Sequence, residues 1–221
     1  MIDKATSCKD AVAMIPDGAS LMIGGFMGVG SPHRIIEELV RQGRKNLTVI
    51  ANDTARPGVG IGRLIEAKLI KKLIATHIGL NPETQRQMIA GEIEVELCPQ
   101  GTLAERIRSG GYGLGGVLTA TGVGTVVADG KRTIEVDGKQ FLLELPLTAD
   151  FALLAAHRAD YLGNLEYLLT ARNFNPVMAT AAKTVIVEPE HIVPIGVIPP
   201  DSVATPFVCV NHIVERSNCG Q

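Results

Sequence analysis

Asp17-Gly18-Ala19-Ser20-Leu21-Met22-Ile23-Gly24-Gly25-Phe26-Met27-Gly28-Val29-Gly30-Ser31-Pro32 decides how the chain is read. The pair Asp17-Gly18 marks a turn, and Leu21-Met22-Ile23 is a short apolar run of the kind that forms a buried strand. Four glycines follow, at Gly24, Gly25, Gly28 and Gly30. Ser31 suits a helix N-cap, where its hydroxyl can accept an orphan backbone N–H. Pro32 suits the first helical position, where no N–H is needed. A strand, a glycine loop and a helix N-terminus therefore stand in series. Such a loop lets a ligand approach the backbone and is expected to point unbonded N–H groups at negative charge. It is not a Walker A loop, because Ser31 stands where the phosphate lysine belongs. Gly-x-Gly-x-x-Gly cannot be read from these four glycines either. Glycines at this spacing also suit a tight strand-to-helix turn with no ligand.

Outward from this loop, apolar runs and helical periodicity alternate. A short helix is expected around Ala5 to Met14. Ile35, Ile36, Leu39 and Val40 recur at helical spacing, with Gly43 as C-cap. Leu47 to Ala51 reads as a second strand ending in Asn52-Asp53-Thr54. A helix over Leu64 to Leu69 and a strand over Leu73 to Ile78 follow. Asn81-Pro82-Glu83 repeats the cap, proline and acid pattern of a helix start. Val95 to Cys98 is a fourth strand, and Leu103 to Ile107 a helix that stops at Gly110-Gly111. This alternation predicts an α/β fold: an open, mostly parallel sheet with helices on both faces and right-handed crossovers. Ligands of such sheets sit beyond the C-terminal strand ends. The glycine loop, Asn52-Asp53 and Gln100 would meet there.

The second half is less regular. Gly111 to Gly124 reads as a loop. Thr133 to Leu143 reads as a β-hairpin insertion turning at Asp137-Gly138. Phe151 to Ala156 and Val185 to Val187 are buried strands, with a turn at Leu162 to Leu165 and a small helix over Pro176 to Lys183 between them. An extended tail with one strand near Phe207 to Val210 follows Pro189. No repeat or low-complexity linker divides residues 1–221, so one domain is expected.

Composition narrows the class. The 221 residues are 46% hydrophobic and 20% charged, as in a folded globular chain. Only 4% are aromatic, so the core must be aliphatic, as in helix-covered parallel sheets. A net charge of −2 gives no reason to expect nucleic acid or a membrane surface as partner. No apolar run is long enough to span a bilayer, and Met1-Ile2-Asp3-Lys4-Ala5 has no signal core, so a cytoplasmic location is expected. Cys8, Cys98, Cys209 and Cys219 are widely separated, which predicts free thiols and neither a disulfide framework nor a metal site. Asn46-Leu47-Thr48 fits a glycosylation acceptor, which has no use without export.

The sixteen-residue string resembles the first signature of the family I coenzyme A transferases. The pattern is Asp-Gly, two free residues, three apolar residues, Gly-Gly-Phe, three free, Gly, one free and Pro, and no position departs from it. Leu47 to Asp53, Pro99 to Arg108, Gly110 to Gly124 and Ala171-Arg172-Asn173-Phe174-Asn175-Pro176 also look like the α subunit of these enzymes. The likeness is strongest to α subunits of the acetate, or butyrate–acetoacetate, type. Enzymes for 3-oxoadipate or succinate usually show Asn-Asn-Ala-Gly where Asn52-Asp53-Thr54-Ala55 stands here. An α subunit of a 3-oxoadipate or succinyl-CoA:3-oxoacid enzyme is the alternative within the family.

The resemblance implies ping-pong exchange of CoA between an acyl-CoA and a carboxylic acid. A glutamate attacks the thioester, and CoA returns to give a glutamyl-CoA thioester. That glutamate belongs to a Ser-Glu-Asn-Gly motif of the β subunit, which this chain lacks. No catalytic nucleophile is therefore expected here, and a β subunit is the expected partner in an α2β2 or similar hetero-oligomer. Coenzyme A is the substrate, with no permanent cofactor. Gly24, Gly25, Phe26, Met27, Gly28, Val29 and Gly30 would lie against CoA or the acyl group. Gln100 first, and Asn52 second, would supply an amide to the developing oxyanion.

Other polar residues have plainer readings. Arg34, Arg63 and Arg106 could meet CoA phosphates, but solvated helix charge is the simpler assignment. His77 lies on an apolar run and reads as a core histidine, and His33 as a structural residue near the loop. His157, His191 and His212 have no partner visible from spacing. Cys98 reads as a small buried hydrophobe, Glu105 as a surface charge and Glu144 as the end of the hairpin. Two other classes stand beside the transferase: a sugar-phosphate isomerase or deaminase, by fold analogy, and a non-catalytic acyl-CoA sensor.

Overall fold

A computed structural model describes residues 4–215. The expected alternation is present. Strands β1 (Ala5–Thr6), β2 (Ser20–Ile23), β3 (Leu47–Ile50), β4 (Ile70–Ala75) and β5 (Glu94–Leu97) alternate with helices α1 (Cys8–Ala13), α2 (His33–Gln42), α3 (Gly62–Glu66) and α4 (Pro82–Ile89). Helix α5 (Gln100–Gly111) leads to β6 (Val117–Thr119), β7 (Thr133–Val136) and β8 (Lys139–Glu144), a small antiparallel sheet. Then come β9 (Ala149–Asp160), β10 (Leu165–Glu166), α6 (Asn175–Met178), β11 (Ala182–Val193) and β12 (His212–Val214).

The large sheet runs β1-β12-β11-β9-β2-β3-β4-β5, with β10 antiparallel on β9 and every other pair parallel. From β2 the chain steps outward to β5, then returns to place β9 on the other side of β2. The strand order reverses there, so the crevice beyond β2 is where such sheets bind ligands. Both faces are covered, which is why the strands read as unbroken apolar runs. Leu21, Ile23, Val49 and Leu73 join the core beneath α1 to α4. Met22, Ile50 and Ile74 join Leu103, Ile107 and Met178 beneath α5 and α6. No helix among the described residues is long and apolar enough to cross a membrane.

Caps and turns follow local chemistry in most places. Gly43 ends α2 in the left-handed region at φ 66°. Asn81 caps α4 through the Glu83 and Thr84 N–H groups, with Pro82 in the first turn. Asp137 and Gly138 both have positive φ, as a type I′ hairpin requires.

Several boundaries differ from the sequence reading. Helix α3 ends at Glu66, and β4 begins at Ile70 and stops at Ala75. Lys71 and Lys72 disguised its start, Lys72 lying between Thr48 of β3 and Glu94 of β5 and pairing with the Glu94 carboxylate. The Gly111 to Gly124 stretch contains β6, whose partner β8 lies far along the chain. β9 and β11 each span 12 residues, so the small helix ends at Met178 and Ala182 is already strand. β11 keeps Pro189 because β12 pairs only with Ile186 and Val187, leaving an edge beyond them. The last strand is His212–Val214, while Phe207–Cys209 is a 3-10 turn. Ala5–Thr6 is a strand because β12 supplies its partner. Among the described residues Cys8, Cys98 and Cys209 form no disulfide; Cys219 lies outside them.

Asp150 joins β9 to β2. Its carboxylate accepts from the Ser20 N–H at 3.0 Å and the Ser20 hydroxyl at 2.6 Å, and pairs with Lys183 at 2.9 Å. These bonds, the Ser20 hydroxyl first, lower its pKa from 3.8 to about 2. A depressed carboxylate stabilises the fold fully above its unfolded pKa and stops doing so as pH falls through about 2. The side chain is 41% exposed, so the contribution is discounted to about 1 kcal/mol. Asp150→Asn is expected to lower stability at pH 7 by about that amount and to flatten its loss between pH 4 and 2, measured by urea unfolding.

Candidate active site

Beyond β2 the chain makes a narrow hairpin. Phe26 and Val29 exchange backbone hydrogen bonds at 3.0 and 2.9 Å, with Met27 and Gly28 at the tip, both at positive φ. The Gly24 N–H donates to the Leu153 carbonyl of β9, the last rung before the sheet opens. There a buried amide takes over from the ladder. Asn175 Oδ1 accepts the Ala155 N–H at 3.1 Å, and its Nδ2 donates to the Gly30 and Ala171 carbonyls at 2.9 Å. A Cβ on Gly24 would stand 1.9 Å from Asn175 Oδ1, so only glycine fits. Asn173 grips the same loop, accepting from the Gly25 N–H and donating to the Val29 carbonyl.

This bracing changes what the loop offers. Across Gly24 to Ser31, the N–H groups of Gly24, Gly25, Phe26, Met27, Val29 and Ser31 are engaged internally. Only those of Gly28 and Gly30 lack an acceptor among the described residues. The expected row of unbonded N–H groups facing an anion is therefore not present. Nor does Ser31 cap the helix. Pro32 holds the N-cap position, and Ser31 is buried under Gly25, where a Cβ would come 2.0 Å from its hydroxyl. The orphan Ile35 N–H is met from β11 instead, by Glu188 at 3.0 Å.

Asn52, Asp53 and Gln100 do converge on this loop. Asp53 accepts the Met27 N–H at 2.9 Å, the Ala55 N–H at 2.6 Å and Asn52 Nδ2 at 2.7 Å. Asn52 is fully buried, and its Oδ1 accepts from Gln100 Nε2 at 2.7 Å. Gln100 opens α5 and is exposed. An amide nitrogen carries two N–H groups, so Gln100 keeps one beyond the bond to Asn52.

Two clefts flank the exposed Phe26 ring. One, of about 350 Å³, is lined by Phe26, Gln100, Gly101, Ala104, Asn173, Phe174 and Val177. The other, of about 770 Å³, is lined by Phe26, Met27, Val29, Arg56, Val59, Thr170 and Asn173. Neither lining contains a carboxylate or a thiol. A larger groove of about 1030 Å³ shares Asn173 and Val177 with the first and includes Arg108, Arg172 and Lys183 but no acidic residue.

His77 is not in the core. β4 ends before it, and the half-buried ring packs 6.5 Å from Phe26 beside the Asp53 bridge. His33 closes the loop, 3.0 Å from the Gly28 carbonyl. Arg106 is not a solvated charge. It is buried against Glu96 at 2.7 Å and the Leu145 carbonyl, because α5 lays this face on β5 and the hairpin. Arg34 pairs with Glu188, and Arg63 with Glu37 at the surface. Glu105 is a surface partner of Arg108, whereas Glu144 is buried against Lys131 at the hairpin's end. Cys98 is buried, and burial pushes its thiol up. Burial lowers the His212 pKa on β12. His157 does have a partner, Glu190 on β11. Asn173 and Asn175 were missed as site residues. Their local signals were an asparagine pair flanking Phe174 ahead of Pro176, and the family-like stretch Ala171 to Pro176 that contains it.

The sequence profile of the coenzyme A transferase family matches residues 5–216. The chain is 54% identical over 214 residues to the acetate CoA-transferase subunit alpha of Escherichia coli, covering 97% of each chain. It is 53% identical over 216 residues to the acetoacetyl-CoA:acetate/butyrate CoA transferase alpha subunit of Clostridium acetobutylicum, covering 98% of this chain and 99% of the other. An acyl-CoA transferase of Escherichia coli, solved as a thioester complex with CoA, has the same fold at TM-score 0.86 and 23% identity, over 99% of this chain. This chain spans 48% of that longer one. A signature loop without departures, a matching profile and full-length relatives agree: the chain belongs to the coenzyme A transferase family.

Proposed function

We propose that this chain is the α half of a transferase that moves CoA between acetyl-, butyryl- or acetoacetyl-CoA and a short-chain carboxylic acid. The reaction runs through a glutamyl-CoA thioester on a partner β subunit. One observation carries the division of labour. The carboxylate at the crevice, Asp53, is buried and holds three donors, and the clefts beside Phe26 contain no other acid and no thiol. This supports a nucleophile that arrives from outside this chain.

What this half supplies is a frame. Phe26, Met27 and Val29 form an apolar wall for the acyl chain and thioester. Gln100 donates its second amide N–H to the oxyanion that develops at the thioester carbon, while Asn52 holds the amide in place. Asp53 fixes the loop tip through the Met27 N–H. The CoA phosphates are met in the groove of Arg108, Arg172 and Lys183, whose lining holds no acidic residue, although Arg108 and Lys183 also pair with Glu105 and Asp150 outside it.

Reconstitution tests the reading. The purified chain alone is expected to show no exchange between acetoacetyl-CoA and acetate, and addition of its β subunit restores it. Borohydride trapping of the thioester should label only the β chain. Exchange by the isolated chain, or label on one of its glutamates, overturns the proposal.

A further inference from the structure

β9 and β11 run in parallel, and their register places His157 beside Glu190, between the pairs Ala156–Pro189 and Arg158–His191. Opposed residues of neighbouring strands point to one side of the sheet. Accordingly His157 Nδ1 lies 2.7 Å from Glu190 Oε2. The register assigns His191 to the side of Arg158, yet its ring lies edge-on to His157, with centroids 5.5 Å apart and planes at 88°. One ligand atom from each of the three lies within 4.8 Å of the others. An ordinary His–Glu ion pair has no need of a second imidazole.

We infer that His157, Glu190 and His191 form a binding site for a divalent transition metal ion of the Zn²⁺ type. Two imidazoles and a carboxylate are the donor set that such ions favour over Mg²⁺ or Ca²⁺, which take oxygen ligands. Zn²⁺ holds these atoms at about 2.0–2.2 Å, so its ligands stand roughly 3–4 Å apart. The three atoms now lie within 4.8 Å of one another, so an ion would draw the side chains together. Three protein ligands leave a fourth position for water or an exogenous ligand. His157 and Glu190 also line a cavity of about 420 Å³ with Val29, Gly30, His33 and Glu188, which puts the ion behind the glycine loop, on a different wall from Gln100. Spacing in the sequence conceals the cluster, because the two strands that build it are joined by a long crossover.

The full chain, tag-free and stripped with a chelator, is titrated with Zn²⁺ in competition with a chromophoric chelator. One equivalent is expected to bind, and Co²⁺ in its place should give the intense visible absorption of a four-coordinate site. His191→Asn and His157→Gln should each weaken binding at least about tenfold, with circular dichroism unchanged. His212→Asn, outside the cluster, should leave the affinity as it was. Equal affinity in the wild type and the His157→Gln/His191→Asn double variant overturns the assignment. So does loss of the bound equivalent in His212→Asn.

Discussion

Gln100→Ala is expected to lower kcat of the assembled enzyme by roughly a hundredfold, the effect of removing one oxyanion donor. The KM for acyl-CoA should change far less. An interaction made only as charge develops at the thioester carbon contributes little to the ground state, so kcat and kcat/KM fall together. A merely structural role makes a different forecast. Gln100 is exposed, and among the described residues its side chain bonds only to Asn52. If propping Asn52 were its task, the variant would melt earlier and turn over normally. Steady-state kinetics with acetoacetyl-CoA and acetate, beside a thermal melt, separates the two. Wild-type kcat removes Gln100 from the oxyanion site.

Asn175→Ala should destabilise the chain by about 3 kcal/mol, because it strands the Ala155 N–H and leaves the Gly30 and Ala171 carbonyls without their donor. Burial is complete at this residue, so water is a poor substitute. Gly24→Ala should cost a comparable amount by a different route, since the added Cβ drives into the same amide. The two changes strike one contact and should not add. Alanine at residue 24 becomes tolerable once the Asn175 side chain is gone, so the double variant should be less destabilised than the sum of the singles. Urea midpoints of the four proteins measure this coupling. Strict additivity would mean that Asn175 does not brace the loop.

The alternating pattern was legible because both faces of a helix-covered parallel strand are apolar, and Leu21 to Ile23 or Leu47 to Ile50 can hardly be anything else. Caps at Gly43 and Asn81, and the Asp137-Gly138 turn, depend on neighbours within four residues, so local reading suffices. Strand ends were less accessible. β4 carries two lysines directly after its first residue, and β1 and β6 exist only because distant strands offer them a ladder. His77 was misjudged for that reason: a shift of the strand end moves a histidine from core to crevice.

The same division applies to the site. Order along the chain placed the glycine loop, Asn52-Asp53 and Gln100 at one sheet edge, because parallel topology puts every strand's C-terminal end on the same side. Membership of the family was also readable there, in a loop whose glycines answer steric demands that no other residue meets. What each polar group does was decided by tertiary packing alone. Whether a loop N–H faces a ligand or is consumed internally depends on Asn173, Asn175 and Asp53, brought in from other crossovers. Ser31 became a buried filler and Glu188 the helix cap because a helix N-terminus takes whichever acceptor the neighbouring strand presents. Hydrogen bonds reach about 3 Å, and no pattern along a chain can say which atoms the fold will bring that close.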